Sequence, residues 1–131
     1  MKIKVGVLFG GKSVEHEISV ISAIQAMGYL DRNKYDVIPI YITKDNEFYV
    51  GEDVGKIESY TDINSLIKNS QRIIMVRDEN KVKLIKYPQK MFSKGYVDYI
   101  DIAFPIVHGT NVEDGTLQGY LKMFNIPYVG C

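Results

Sequence analysis

The sequence is poor in several things at once, and each absence removes a class of protein. It holds one cysteine in 131 residues, and that is the final residue, Cys131. An intrachain disulfide framework and a cysteine-based metal cluster are therefore excluded. It holds two histidines, His16 and His108. No carboxylate cluster at ligand spacing accompanies them, so no metal site is expected. Net charge is zero, from 16 basic and 16 acidic residues. No basic stripe interleaved with aromatics occurs, which speaks against nucleic acid as a partner. No apolar run approaches bilayer-spanning length, and no charged-then-apolar leader opens the chain. The expected location is the cytoplasm, with no membrane partner. Internal repeats and low-complexity segments are also missing.

What is present is a core. Hydrophobic residues make up 46% of a chain whose length suits one ordinary domain. The organising stretch runs from Val5 to Ser19. Ile3 to Phe9 is apolar except for Lys4 and Gly6, which predicts a strand buried on both faces. Gly10-Gly11 then permits a sharp turn and close approach of a ligand to the backbone. Ser13 suits an N-cap, with Glu15 and Glu17 in the first helical turn. Val14, Ile18, Ile21 and Ile24 recur near helical spacing, predicting the buried face, while Glu15, Ser19 and Ser22 share a polar one.

Downstream, Tyr35 to Thr43 reads as a second strand, giving a parallel βαβ unit. Lys44-Asp45-Asn46 reads as a hairpin turn into a short strand, Glu47 to Val50. Gly51 to Thr61 reads as loop, and Asp62 as the cap of a short helix. Arg72 to Val76 and Val82 to Tyr87 predict a hairpin around Arg77-Asp78-Glu79-Asn80 at the sheet edge. Tyr99 to Val107 predicts one buried strand, with Pro105 near its end. Leu117, Tyr120, Leu121 and Phe124 predict a last helix, and Ile126 to Val129 a closing strand. The chain stops directly after that strand, which reads as a cut at a domain boundary. The expected fold is α/β: a three-layer, Rossmann-like domain over 1–131, with a mostly parallel sheet and edge hairpins. Parallel strands would bring Gly10-Gly11 and the His108-Gly109 loop to one crevice.

Each candidate residue also has a plain structural use. Gly6 to Ser13 matches the phosphate-loop pattern, with Lys12 as its lysine. Yet Val7-Leu8-Phe9 is strand core, leaving no free loop between the glycines, so the match reads as accidental. A first-turn carboxylate stabilises a helix by about 0.3–1 kcal/mol, which suffices for Glu17 and serves Glu15 as well as a binding role does. His16 reads as a packing residue. His108 ends a buried strand ahead of a glycine, a position that suits either a site or a satisfied structural histidine. Glu113-Asp114 read as helix caps.

Two stretches together resemble the D-alanine–D-alanine ligase family. The first is Gly10-Gly11-Lys12-Ser13-Val14-Glu15-His16-Glu17-Ile18-Ser19. The second is His108-Gly109-Thr110-Asn111-Val112-Glu113-Asp114-Gly115-Thr116-Leu117-Gln118-Gly119, followed by Ile126-Pro127-Tyr128-Val129-Gly130. The resemblance spans the chain and is weakest over residues 44 to 98. It departs at Val112, where the family commonly has glycine. It implies the N-terminal domain of an enzyme that joins two D-alanines with ATP through an acyl phosphate, for peptidoglycan precursor synthesis. It implies that Glu15 holds the ammonium of the first D-alanine, that His108 lines the same subsite, and that Gly10, Gly11 and Ser13 close over it. ATP and magnesium would bind ATP-grasp domains outside this stretch, leaving the fragment inactive alone, and the complete enzyme would be a homodimer. Ligases making D-alanyl-D-lactate or D-alanyl-D-serine share the pattern. The competing classes are a stand-alone flavodoxin-like binding module and, less well supported, a phosphate-loop NTPase.

Overall fold

A computed structural model describes residues 1–11, 16–88 and 96–106. Ser13, Glu15, His108, Val112 and the expected final helix and strand lie outside them. The described elements begin with β1 (Ile3–Gly10), α1 (His16–Gly28), β2 (Tyr35–Ile42) and β3 (Phe48–Val50). A 3₁₀ turn (Ile57–Thr61) and α2 (Ile63–Lys68) follow. Then come β4 (Gln71–Asp78), β5 (Lys81–Lys86), β6 (Tyr96–Ile100) and β7 (Ile102–Ile106). The Asp62 side chain caps α2, accepting from the Ser65 N–H at 3.1 Å, as its position before an apolar run predicts.

The seven strands among the described residues lie in the order β6-β5-β4-β3-β2-β1-β7. β1 pairs in parallel with β2 and with β7, and every other pairing is antiparallel. The α/β class holds, but the sheet is mixed rather than mostly parallel. The parallel part is the two strands of the βαβ unit, β1 and β2, with β7 added beside β1. The antiparallel part is a meander, with tight turns between β2 and β3 and between β4 and β5, and the 3₁₀ turn and α2 between β3 and β4. The β4–β5 hairpin is not at the edge, because β6 covers β5. Its turn is also tighter than expected, Glu79-Asn80, with Glu79 at φ 55°.

The expected single strand from Tyr99 to Val107 is two strands. β6 and β7 lie at opposite ends of the strand order among the described residues, yet only Asp101 separates them in sequence. Chain continuity therefore curls the sheet until its edges meet. Asp101 makes the corner: its N–H donates to the Lys4 carbonyl and its carboxylate accepts from the Lys4 N–H, both at 2.8 Å. Gly6 makes room, since a Cβ there would lie 2.8 Å from Ile100 Cδ1. Among the described residues the inner face of the curl is lined by strand residues, including Leu8, Ile40, Ile73, Leu84 and Ile100. Each such side chain contributes about 1.5–3 kcal/mol of burial.

The seam carries charge as well. Lys4 Nζ lies 2.6 Å from Asp98 and 3.6 Å from Asp36, and 4.4 Å from the centre of the Tyr99 ring. The hydrogen bond to Asp98 raises the Lys4 pKa, reinforced by the charges of Asp98 and Asp36, while burial opposes them. A raised lysine pKa stabilises the fold in full at neutral pH and is lost as pH climbs above 10.5. Replacing Lys4 by methionine keeps the stem and removes the charge. We expect that change to cost about 1 kcal/mol at pH 7, from two ion pairs and one cation–π contact. Urea unfolding of Lys4→Met checks it; an unchanged midpoint would show that the seam does not depend on charge.

The other face of the sheet carries the helices. Val5, Val7 and Phe9 meet Val20, Ala23 and Met27 of α1 and Leu66 of α2. Here α1 departs from expectation. Ile18 and Ile21, expected inside, are 54% and 49% exposed, whereas Ser19 is fully buried. The buried face is Ser19, Val20, Ala23 and Met27. Small residues at 19 and 23 let the helix lie close to the strand, and a stripe of isoleucines would hold it away. Among the described residues all helices pack on this one face.

Candidate functional site

β1 and β7 run side by side in parallel, with Phe9 opposite Ile106 at their carboxyl ends. The glycine corner and the segment that carries His108 therefore leave the sheet from neighbouring strands, as the sequence predicts. Gly10 and Gly11 both take positive φ, 99° and 92°. The Gly11 N–H donates to the Ile42 carbonyl at 2.8 Å, which ends the strand against β2. A Cβ on Gly10 would sit 2.3 Å from that same carbonyl oxygen, whereas one on Gly11 would meet nothing within 4 Å. Gly10 is thus required by space and by conformation, and Gly11 by conformation alone.

One residue that the sequence reading placed on the polar face of α1 joins these strand ends. The Gly10 N–H donates to Ser19 Oγ at 2.9 Å, and the Ser19 hydroxyl donates to the Ile106 carbonyl at 2.7 Å. The only signal for it in the sequence is the pair of small residues Ser19 and Ala23, four apart and so on one helix face. The alternatives fare differently. Val7, Leu8 and Phe9 are fully buried within β1, so the glycine-lysine-serine match cannot form a phosphate loop. Among the described residues no group of three or more His, Cys, Asp or Glu could hold a metal ion. A depression of about 170 Å³, lined by Asp53, Glu58, Asp62 and Ser65 among others, draws nothing from the glycine corner.

Beneath the corner lies an aromatic floor. Phe9, Tyr41 and Tyr60 contact one another edge-on or tilted, with ring centres 5.2 to 6.1 Å apart. The Tyr60 hydroxyl donates to the Val54 carbonyl at 2.7 Å. Burial pushes the Tyr41 pKa from 10.0 to about 12, and burial together with neighbouring Tyr41 pushes that of Tyr60 higher still. A tyrosine whose pKa is raised by folding stabilises fully below pH 10 and loses that contribution as pH rises further. For Tyr41 the window runs from 10.0 to about 12. We expect alkaline ultraviolet titration to leave both phenols protonated at pH 11 in the native state, with stability to urea falling once pH passes 10. Full ionisation of every tyrosine at pH 11 without unfolding would contradict the floor.

These features define a Rossmann-like α/β domain, and in open sheets of that kind ligands generally bind at the carboxyl ends of the parallel strands. Residues 4–131 match the family model described as D-ala D-ala ligase N-terminus. The chain belongs to that family. It is 43% identical over 129 residues to the D-alanine–D-alanine ligase of Thermosipho melanesiensis, covering 98% of this chain and 34% of that protein. It is 45% identical over 131 residues to that of Caldicellulosiruptor bescii, covering 99% and 34%. Among solved structures it is similar to the VanG D-Ala:D-Ser ligase from Enterococcus faecalis, with TM-score 0.73 and 33% identity over 100% of this chain and 36% of that one. It is also similar to the D-alanine–D-alanine ligase from Helicobacter pylori, with TM-score 0.77 and 28% identity over 98% and 38%. The chain spans about a third of the length of the curated relatives it matches.

Proposed function

We propose that this chain is the substrate-binding N-terminal domain of an ATP-dependent ligase that joins two D-alanines. The observation that carries the reading is the family match over residues 4–131, joined to parallel strands whose adjacent carboxyl ends lead into Glu15 and His108. In the proposed reaction the carboxylate of the first D-alanine takes the terminal phosphoryl group of ATP. The amine of the second then attacks the acyl phosphate and expels phosphate. The share of this domain is to hold the first D-alanine. Glu15 would accept hydrogen bonds from its ammonium, a charge-assisted contact suited to a fixed carboxylate. His108 would line the same subsite, and Gly10, Gly11 and Ser13 would bring backbone close to it. ATP and magnesium would be held by the ATP-grasp domains of the complete enzyme. A homodimeric, cytoplasmic enzyme is part of the same reading.

The test is D-alanine-dependent ADP release by the complete enzyme, parent against Glu15→Gln. A strong fall supports the reading, and unchanged release overturns the role of Glu15. A second reading, a D-alanyl-D-serine ligase, is favoured by the likeness to the VanG D-Ala:D-Ser ligase. Product analysis with D-alanine, D-serine and D-lactate offered together separates these activities.

A further inference from the structure

We propose that Ser19 is a positioning residue for the first-substrate site. Its hydroxyl fixes the strand ends, Gly10 of β1 and Ile106 of β7, from which the chain continues to Glu15 and to His108. This rests on the reading of Glu15 and His108 given above and goes beyond it by assigning what anchors the start of both segments.

The β1–β7 ladder ends at Phe9 opposite Ile106. One step on, Ser19 Oγ accepts from the Gly10 N–H and its hydroxyl donates to the Ile106 carbonyl. A single oxygen from a helix thus bonds to the ends of both strands. It ties the two ends to α1 as well as to one another. Ser19 is fully buried, and its hydroxyl spans 87 residues to Ile106. Thr43, a buried threonine, behaves differently. It accepts from the N–H groups of Asp45 and Glu47, two and four residues away, and so serves only its own turn.

The consequence for binding follows from geometry. Glu15 lies four residues before Ser19 on the way to the glycine corner, and His108 two residues beyond Ile106. Both segments start from groups that Ser19 grips. Removing the hydroxyl takes an acceptor from the buried Gly10 N–H and a donor from the half-buried Ile106 carbonyl, which loosens both strand ends from α1. A shift of about 1 Å in a binding constellation can cost about 100-fold in rate.

The experiment uses the complete ligase, with ADP release measured against D-alanine at saturating ATP. Ser19→Ala should raise KM for the first D-alanine about tenfold or more while kcat falls less than about threefold, since the reacting atoms are untouched. Ser19→Thr, which keeps the hydroxyl, should recover most of that loss. In a Glu15→Gln background Ser19→Ala should add less than about threefold to the loss in kcat/KM, because the group it positions is already impaired. Should Ser19→Ala fail to fold, Ser19→Cys takes its place, as the thiol keeps the volume but bonds weakly. An unchanged KM in the Ser19 variant, beside a raised KM in Glu15→Gln, overturns the Ser19 proposal alone. So does the same Ser19→Ala factor in both backgrounds. An unchanged KM in Glu15→Gln by itself overturns the underlying reading of the site and the proposal with it.

Discussion

Gly10→Ala is expected to destabilise this domain by about 3–5 kcal/mol, a large share of the roughly 5–15 kcal/mol that holds a typical domain together. Two costs combine. The backbone at φ 99° lies outside what an alanine adopts without strain, worth about 1–3 kcal/mol. The new Cβ would also lie 2.3 Å from the Ile42 carbonyl oxygen and 2.9 Å from the Tyr41 ring. Neither neighbour can yield cheaply. The carbonyl is backbone already bonded to the Gly11 N–H, and Tyr41 is locked against Phe9 and Tyr60. Overpacking of this kind adds about 1–3 kcal/mol. Gly11→Ala is the internal control. Its φ is similar at 92°, but its Cβ would enter open space, so only the strain of about 1–3 kcal/mol remains. Urea denaturation of both variants tests the difference. Equal losses would mean that strain alone governs the corner and that the close approach to Ile42 is of no consequence.

The parts of the fold written in local pattern were legible from sequence. Ile3 to Gly10 reads as a buried strand because its apolar run is uninterrupted, and the βαβ unit follows from spacing. The glycine corner is legible because Gly10-Gly11 is the only way such a strand can turn at once. What was not legible depends on partners distant in sequence. The β6–β7 break is made by Asp101 bonding to the backbone of Lys4, 97 residues away. Within Tyr99 to Val107 nothing but one aspartate marks it, and an aspartate in an apolar run more often signals an exposed position than a corner. The face of α1 was misread for a related reason. Periodicity ranks Ile18 and Ile21 above Ser19 and Ala23 because it scores hydrophobicity, whereas the helix is seated by size. Only the bonds from Gly10 and to Ile106 reveal why a serine belongs inside. Glu15 and His108 came from resemblance rather than pattern, since a first-turn carboxylate and a strand-end histidine each have an ordinary structural use.

The curled sheet also explains why the corner is a firm platform. Its floor is Phe9, Tyr41 and Tyr60 on the helical face, and the inner face is closed by strands from both edges. Movement of the β1 end would have to carry β2 through the Ile42 carbonyl and β7 through Ser19. A binding carboxylate launched from such an end starts from a fixed origin, and preorganisation of that kind is what lets a charge discriminate its ligand.

The largest functional effect is expected from Glu15→Gln in the complete ligase, with kcat/KM for the first D-alanine falling about 100-fold or more. Glutamine keeps the shape and one acceptor oxygen, so packing is preserved and the loss is electrostatic. A hydrogen bond to a charged group is worth about 1.5–3 kcal/mol, and stranding a buried ammonium without its partner about 3–5 kcal/mol. At about 1.4 kcal/mol per tenfold, a loss near 3 kcal/mol gives the expected factor. Glu17→Gln is the matching control. Glu17 is exposed in the first turn of α1, where its role is to stabilise the helix N-terminus. That change should cost about 0.3–1 kcal/mol of stability and leave kcat/KM within about twofold. The pair separates the two uses of a first-turn carboxylate that sequence alone leaves equal. If both variants lose only stability, Glu15 is a helix stabiliser and the ammonium is held elsewhere. If only Glu15→Gln loses turnover, and the loss lies in KM for the first D-alanine, the carboxylate at the glycine corner is the group that holds that substrate.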